Sequence, residues 1–341
     1  MISTVVFAAV FLGLLFASIV LWAMCLRLGL QWAKVPEVTT RQVVKATTVT
    51  AILQIAQNVF FLSIMSPSIV VSTALLVAEL AAVVIVPCIV IRTVFKTRFR
   101  HALQAWLPTL LATVTTLAFT YLILRPFLYE SFVVPTNAMA PTIVGQHWQG
   151  KCSKCGRFNY CSPRHTRFGK GESPPLLMIC DNFHVTEVSE IDKTVHSGDR
   201  FLVAKFFTPR RWDLVVFQYP EEPTMLYVKR LVGFPGERIH IQDGSVWVND
   251  ERQEPPDAID GIEYLSELPG VGPILSGSAT RPALLRNDEY FVVGDFSAQS
   301  SDSRSWERGA AGYNRYAVPK SFITGVVTHT FWPLARWRIH R

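Results

Sequence analysis

Apolar residues are concentrated in the first third of the 341-residue chain. The long apolar runs cover residues 4–26, 46–64, 68–91 and 105–124. Each has a length suited to one membrane-spanning helix of about 20 residues. The second run is the weakest, because Gln54, Gln57 and Asn58 dilute it. We therefore predict a membrane domain over residues 1–128 with about four transmembrane helices.

The pattern changes after residue 129 to short runs rich in β-branched and aromatic residues, of which Leu214–Tyr219 is typical. Turn pairs such as Pro235-Gly236 separate these runs. Many short strands without alternating helices predict a mostly antiparallel β domain over residues 129–341. Residues 251–288, with scattered Pro, Gly and Ser, are expected to form an irregular insert.

Basic residues are unevenly distributed among the loops of the membrane domain. Arg27, Lys34, Arg41 and Lys45 lie between the first two apolar runs, and a second basic cluster covers residues 92–100. Positively charged loops stay in the cytoplasm. The pattern therefore predicts a multi-pass protein of the cytoplasmic (inner) membrane, with the β domain on the extracytoplasmic side.

The net charge of +7 changes this picture little. Part of it comes from the basic cluster that flanks an apolar run, as topology signals do. The chain has no basic run with interleaved aromatic residues, which would be typical of a nucleic-acid surface. We expect membrane lipid as a partner and no nucleic acid.

Four short motifs follow the last apolar run. Residues 131–142 read Ser-Phe-Val-Val-Pro-Thr-Asn-Ala-Met-Ala-Pro-Thr, and the later motifs lie at 197–205, at 211–217 with 227–236, and at 294–306. In this order they resemble the boxes of the type I signal peptidases of the S26 family, whose first box reads Pro-Ser-Gly-Ser-Met-x-Pro-Thr. The resemblance implies a β peptidase domain that removes signal peptides from exported preproteins by Ser/Lys endoproteolysis at the membrane surface, without a cofactor for catalysis.

A Ser/Lys peptidase needs an amine that is neutral at working pH. Lysine titrates near 10.4, so its site must lower this pKa by several units, through burial. The resemblance assigns this general base to Lys229, within the run Tyr-Val-Lys-Arg. It also implies that Ser300 orients the amine and that Asp302 and Arg304 form a supporting ion pair.

Four replacements in the first and last motifs bear on the activity. Ala138 replaces the nucleophilic serine, and a methyl group has no lone pair to attack a carbonyl. Asn137 replaces a glycine, which a left-handed backbone would accept. Phe296 and Ser297 replace the usual Asn-Arg, which leaves the bonding of that loop open. The resemblance also places Thr136 and the backbone N–H of residue 138 as the oxyanion donors.

Three accounts of Ala138 stay open at this point. The chain is a natural pseudo-peptidase that binds signal peptides, or an engineered Ser-to-Ala variant, or a peptidase that uses Thr136 as a displaced nucleophile. The change at Asn137 argues against a single designed substitution. Two positions along a strand span about 7 Å, which argues against Thr136.

Residues 145–197 form an insert between the first two motifs and hold four of the six cysteines. Lys-Cys-Ser-Lys-Cys-Gly at 151–156 is a knuckle in which a tight turn directs two thiolates at one metal. The candidate ligands are Cys152, Cys155 and Cys180, with Cys161, His165 or His184 in fourth place. We predict a structural zinc, with disulfides as the alternative outside the cytoplasm.

Three functions from different classes agree with these features. The first is a membrane-bound signal peptidase by descent and architecture. The second is a non-catalytic protein that binds signal peptides or assists an active paralogue. The third is a metal-dependent membrane regulator in which the cysteine insert is the working part.

Overall fold

The computed structural model describes residues 2–63, 69–163, 177–187, 191–268 and 272–341. The chain forms two compact units, Met1–Leu124 and Arg125–Arg341.

The first unit is helical. Its α-helices are α1 (Ile2–Trp32), α2 (Thr40–Ser63), α3 (Ile69–Val94), α4 (Phe99–Trp106) and α5 (Thr109–Phe119). A π-helix, Thr120–Leu128, continues α5. Within the described residues, three stretches are long and apolar enough to cross a membrane, namely Leu12–Trp32, Leu75–Val94 and Phe99–Leu128. Helix α2 covers the weakest predicted span and is not among them, so the count of four stays a prediction.

Local polar contacts explain how α2 begins and how it pairs with α3. Thr39 and Gln42 form a capping box, in which the Gln42 N–H donates to Thr39 Oγ1 and the Thr39 N–H donates to Gln42 Oε1. Further along, Gln57 Nε2 donates to the carbonyl of Glu79 on α3 at 3.3 Å. A polar residue in an apolar helix thus bonds to the neighbouring helix.

A glycine allows α1 and α4 to approach closely. A Cβ on Gly29 would stand 2.0 Å from the carbonyl oxygen of Ala105, which no side chain could accommodate. Leu26, Leu30 and Ile91 are fully buried around this contact. Small residues at a helix crossing are typical of packing between membrane helices.

The second unit is built from nineteen strands among the described residues. In the first half of this unit they are β1 (Tyr129–Val133), β2 (His147–Lys151), β3 (Phe158–Cys161), β4 (Leu177–Cys180), β5 (Val185–Glu187), β6 (Ile191–His196), β7 (Arg200–Ala204), β8 (Leu214–Tyr219) and β9 (Glu222–Gly233). In the second half they are β10 (Arg238–Gln242), β11 (Ser245–Val248), β12 (Glu251–Gln253), β13 (Glu267–Leu268), β14 (Gly272–Pro273), β15 (Ala283–Leu284), β16 (Glu289–Val293), β17 (Val318–Pro319), β18 (Ile323–Trp332) and β19 (Arg338–Ile339).

The main sheet has the order β1-β7-β18-β8-β9-β16-β17, with β19 paired to β18. All its pairs are antiparallel, which confirms the predicted fold class. Phe217, Leu231 and Val292 on its strands pack with Trp306 in a fully or nearly fully buried core. Strand β9 pairs with β8 along most of its length and with β16 at its C-terminal end, from Arg230 to Gly233.

The two inserts differ in regularity. The cysteine insert forms an antiparallel five-stranded sheet of order β5-β4-β3-β2-β6, which its sequence did not predict. Residues 251–288 form only β12 to β15 and a short 3-10 helix, Asp257–Ile259, among the described residues. This segment is therefore as irregular as its Pro and Gly content predicts.

Candidate active site

A groove of about 330 Å³ opens beside residue 138. Its lining comes from residues 132–139, from residues 225–229 on β9, and from Ser162, Phe201, Val216, Gln299 and Ser301. Most of these side chains are apolar. Thr136, Ala138 and Lys229, which the sequence places in one site, therefore share one groove.

Lys229 is buried because of its place in the sheet. It lies in β9, an interior strand of the main sheet, opposite Val215 of β8, and its exposed fraction is 4%. Burial lowers the pKa of its amine to about 8, although the charge of Asp302 acts in the opposite direction. A lysine with this pKa is partly neutral near physiological pH, which is what a general base requires.

Ser300 lies next to residue 138 because Gly294 leaves room for it. A Cβ on Gly294 would stand 2.0 Å from Ser300 Oγ and 2.6 Å from the carbonyl oxygen of Ala138. That carbonyl accepts a hydrogen bond from the backbone N–H of Phe296 at 3.1 Å. Ser300 Oγ is buried without a hydrogen-bond partner among the described residues. It is a polar group that the folded chain holds beside residue 138.

Asp302 and Arg304 form a fully buried ion pair. The Arg304 guanidinium donates to both carboxylate oxygens, at 2.9 and 2.7 Å, and the Gly294 N–H donates to the same carboxylate at 2.8 Å. Burial alone would raise the pKa of Asp302, but Arg304 holds it below its usual range. Arg304 Nη1 also donates to Ser297 Oγ at 2.6 Å. The replacement at position 297 therefore leaves this loop well bonded.

A second buried ion pair was not foreseen from the sequence. Arg230, next to Lys229, donates to both oxygens of Asp295 at 2.7 and 2.5 Å. Asp295 also accepts from Thr142 Oγ1 at 2.5 Å, and thereby joins the first motif to the last. A charged pair in a β-like run and a motif that begins Gly-Asp are the signals that could have indicated it.

Asn137 does not adopt the left-handed backbone conformation that would have made an asparagine acceptable in place of the family's glycine. It is absent from the described non-glycine residues with positive φ. Instead, its buried side chain bonds across the loop: Oδ1 accepts from the Gly145 N–H at 2.8 Å, and Nδ2 donates to the Gln146 carbonyl at 2.9 Å. Thr136, by contrast, is exposed.

The cysteine insert brings four ligand side chains to one point. They are Cys152, Cys155, Cys180 and His184, whose ligand atoms all lie within 4.8 Å of one another. The Cys155 and Cys180 sulfurs are 3.7 Å apart, and Cys152 Sγ is 3.8 Å from His184 Nδ1. Ligands about 2.3 Å from a tetrahedral zinc would be roughly 3.8 Å from each other. The spacing and the donor set both fit zinc.

Two similar turns build this cluster. Cys152 lies in the turn between β2 and β3, where the Gly156 N–H donates to its carbonyl at 2.8 Å. Cys180 is the last residue of β4, at the start of the turn to β5, where the Phe183 N–H donates to its carbonyl at 2.8 Å. Each turn contains a residue of positive φ, Gly156 or Phe183. The metal-ligating side chains therefore sit at the ends of two hairpins.

Of the three candidates for the fourth ligand, only His184 is found in the cluster among the described residues. Cys161 is outside the cluster, buried at the far end of β3, and burial raises the pKa of its thiol to about 11. His184 occupies the place that the sequence left open. His165 lies outside the described residues. All six cysteines are free thiols, so the structure contains none of the alternative disulfides.

An antiparallel β domain that follows apolar helices is the architecture of a membrane-anchored peptidase of the signal peptidase class. The model of the family "Signal peptidase, peptidase S26" matches residues 176–332. Signal peptidase I of Rickettsia bellii is 26% identical over 251 residues, which cover 67% of this chain and 75% of that protein. Signal peptidase I of Pseudomonas aeruginosa is 27% identical over 220 residues, covering 60% and 62%.

A solved signal peptidase I from Enterococcus faecalis is 22% identical and covers 36% of this chain and 98% of its own, with a TM-score of 0.27. These matches support the resemblance of the four motifs to the type I signal peptidases, and they identify a signal peptidase S26 domain over residues 176–332.

Proposed function

We propose that the groove beside residue 138 binds signal peptides of exported preproteins at the membrane surface, and that the chain as written does not cleave them. The observation that carries this proposal is Lys229, a buried amine with a pKa lowered to about 8 that lines the same groove as Ala138. Burying a lysine is costly, and perturbed lysines are concentrated at functional sites. A base is present, and the hydroxyl that it would activate is missing.

The support for this site extends beyond the lysine. Ser300 lies beside residue 138, and the Asp302–Arg304 pair is buried behind the loop. These are the positions at which the family has its orienting serine and its ion pair. Thr136 is exposed and two positions away from Ala138, so it is a poor substitute for the lost nucleophile.

The alternative is a pseudo-peptidase that works with an active paralogue. It would bind signal peptides in the same groove. It differs from the first proposal only in that it acts together with an active peptidase. Co-purification of the chain with an active Ser/Lys signal peptidase from the same cells would favour it.

The binding test uses the full chain in detergent and a fluorescently labelled signal peptide. We expect saturable binding without cleavage. Ala138→Trp should fill the groove and abolish binding, whereas Ala279→Trp, at an exposed position outside the groove, should leave it unchanged. Cleavage by the unmodified chain that disappears in Thr136→Val would overturn the proposal.

We also infer a structural zinc held by Cys152, Cys155, Cys180 and His184. Four protein ligands leave no open position for a water or substrate, which is typical of a structural site and not of a catalytic one. When bound, zinc would hold together the two turns that carry these ligands.

For location, we propose a multi-pass protein of the cytoplasmic membrane with the β unit on the extracytoplasmic side. The proposal rests on the basic loops at residues 27–45 and 92–100 and on the apolar helices. A reporter active only outside the cytoplasm, fused after Arg341, should be active; fused after residue 97, it should be silent. The reverse pattern would invert the topology.

A further inference from the structure

One part of the groove wall comes from the cysteine insert and not from any peptidase motif. Ser162 directly follows β3, is half-buried, and lines the groove together with Ala138 and Lys229. A serine in a substrate groove offers a hydrogen-bond donor as well as an acceptor. The orientation of the Ser162 hydroxyl therefore decides whether it donates to a bound group or accepts from it.

Asn137 determines that orientation. Its Oδ1 accepts from the Gly145 N–H, and its Nδ2 donates to the Gln146 carbonyl, so the two backbone groups fix which end of the amide is which. The same Nδ2 reaches Ser162 Oγ at 3.2 Å. Because Nδ2 can only donate, the Ser162 oxygen is the acceptor in this contact.

The proton of the Ser162 hydroxyl is left for another acceptor. Within the described part of the chain, the Asn137 amide is the hydrogen-bond partner of this hydroxyl. Ser162 lines a groove whose other lining side chains are mostly apolar. An extended peptide in that groove would present backbone carbonyls, which need donors when they leave water.

A second contact holds the insert against the same loop. Arg336 donates to the carbonyl of Pro141 in the first motif at 2.8 Å and to the Tyr160 hydroxyl in β3 at 2.8 Å. It also pairs with the buried carboxylate of Asp199 at 3.0 Å. The segment that carries Ser162 is thus tied to the first motif at Asn137 and, through Arg336, at Pro141.

We propose that the Ser162 hydroxyl contacts the substrate by donating a hydrogen bond to a backbone carbonyl of the bound signal peptide, and that Asn137 is its positioning residue. The inference rests on the proposed function, since it names a contact made by the same groove. It also gives one physical reason for two departures from the family pattern. The asparagine in place of glycine and the added insert meet at this hydrogen bond.

The test measures the affinity of a labelled signal peptide for the full chain in detergent, by fluorescence anisotropy. Ser162→Ala should weaken binding about two- to tenfold, the effect of one neutral hydrogen bond. Ser162→Thr keeps the hydroxyl and should restore most of the affinity. Asn137→Asp places an acceptor beside Ser162, which draws its proton away, and should weaken binding to a similar extent.

The control is Ser245→Ala on β11, outside the groove, which should bind as the unmodified chain does. A peptide with an ester in place of the contacted amide has a weaker carbonyl acceptor, so it should lose less affinity on Ser162→Ala than the amide peptide loses. Binding that is intact in the unmodified chain and unchanged in Ser162→Ala would overturn this inference alone. No binding by the unmodified chain would overturn the proposed function, and the inference with it.

Discussion

The groove and the cysteine cluster are built in opposite ways. In the groove, the residue that would react is separate from the residues that hold the architecture, because Asp302–Arg304 and Arg230–Asp295 are buried ion pairs behind it. In the cluster, the ligands are themselves the ends of two hairpins. We therefore expect exchanges at position 138 to leave the fold intact, and exchanges of a cluster side chain to weaken the insert.

The largest effect is expected at the cysteine cluster. Purified protein should contain one zinc per chain, and His184→Ala should lose it to a chelator that leaves the unmodified site occupied, because a water would have to replace the fourth protein ligand. Structural zinc in small domains contributes about 10–16 kcal/mol to folding, so the insert should become sensitive to protease. Metal analysis and limited proteolysis measure both outcomes.

Cys161→Ala is the matched control for this prediction, since Cys161 is a buried cysteine of the same insert outside the cluster. It should keep its zinc. Loss of zinc in Cys161→Ala with retention in His184→Ala would exchange their roles. Protein without metal but with bonded sulfur pairs would restore the disulfide alternative.

The ion pair behind the groove should give the next largest effect. Arg304→Met leaves the carboxylate of Asp302 buried without its guanidinium counter-ion, which typically costs about 3–5 kcal/mol. The midpoint of thermal unfolding should fall clearly, as measured by tryptophan fluorescence of the full chain in detergent. Arg252→Met removes an exposed ion pair with Glu254 and should change stability by less than about 1 kcal/mol. Equal effects would mean that the buried pair is not a structural support.

Ser300 should matter for rate and not for fold. In an Ala138→Ser background, we expect Ser300→Ala to lower cleavage about 10- to 100-fold, because a shift of about 1 Å in a catalytic group has an effect of this size. Peptide affinity should stay the same. Ser245→Ala in that background is the control. A loss of affinity equal to the loss of rate would instead make Ser300 a binding residue.

The smallest effect is the shift that Asp302→Asn should produce in the pH dependence of Ala138→Ser. Only the neutral amine of Lys229 can accept the serine proton, and burial lowers its pKa to about 8. Cleavage should therefore rise about tenfold per pH unit below pH 8 and level off above it. Asp302 raises this pKa by its charge, so Asp302→Asn should move the rise to lower pH. A rate independent of pH between 6 and 9 would exclude Lys229 as the base.

The sequence predicts the fold well where one local pattern decides it. The apolar runs coincide with α1, α3 and α5, and β-branched runs such as Leu214–Tyr219 are strands. The sheet of the insert was missed because its strands are short and unlike one another: β4, Leu-Met-Ile-Cys, is apolar, whereas β6, Ile-Asp-Lys-Thr-Val-His, has little of the apolar character that indicates a strand. Strand β6 forms by pairing with β2, and such pairing cannot be read from the local sequence.

In the candidate site, too, the residues that belong to local motifs were predicted and the long-range contacts were not. Lys229 and Ser300 follow from motifs with fixed neighbours, and the structure places both beside residue 138 or its groove. The Asn137–Ser162 bond joins residues 25 positions apart in different elements. Such a contact depends on how the insert packs against the first motif, so no spacing rule could reveal it.

The central claim is that the groove lacks only a hydroxyl. The direct measurement is cleavage of a preprotein at pH 9 by the full chain as written, by Ala138→Ser, and by Ala138→Ser with Lys229→Met. We expect cleavage after small residues in Ala138→Ser alone and none in the other two. An Ala138→Ser protein that binds the signal peptide normally and leaves it uncut would contradict the claim.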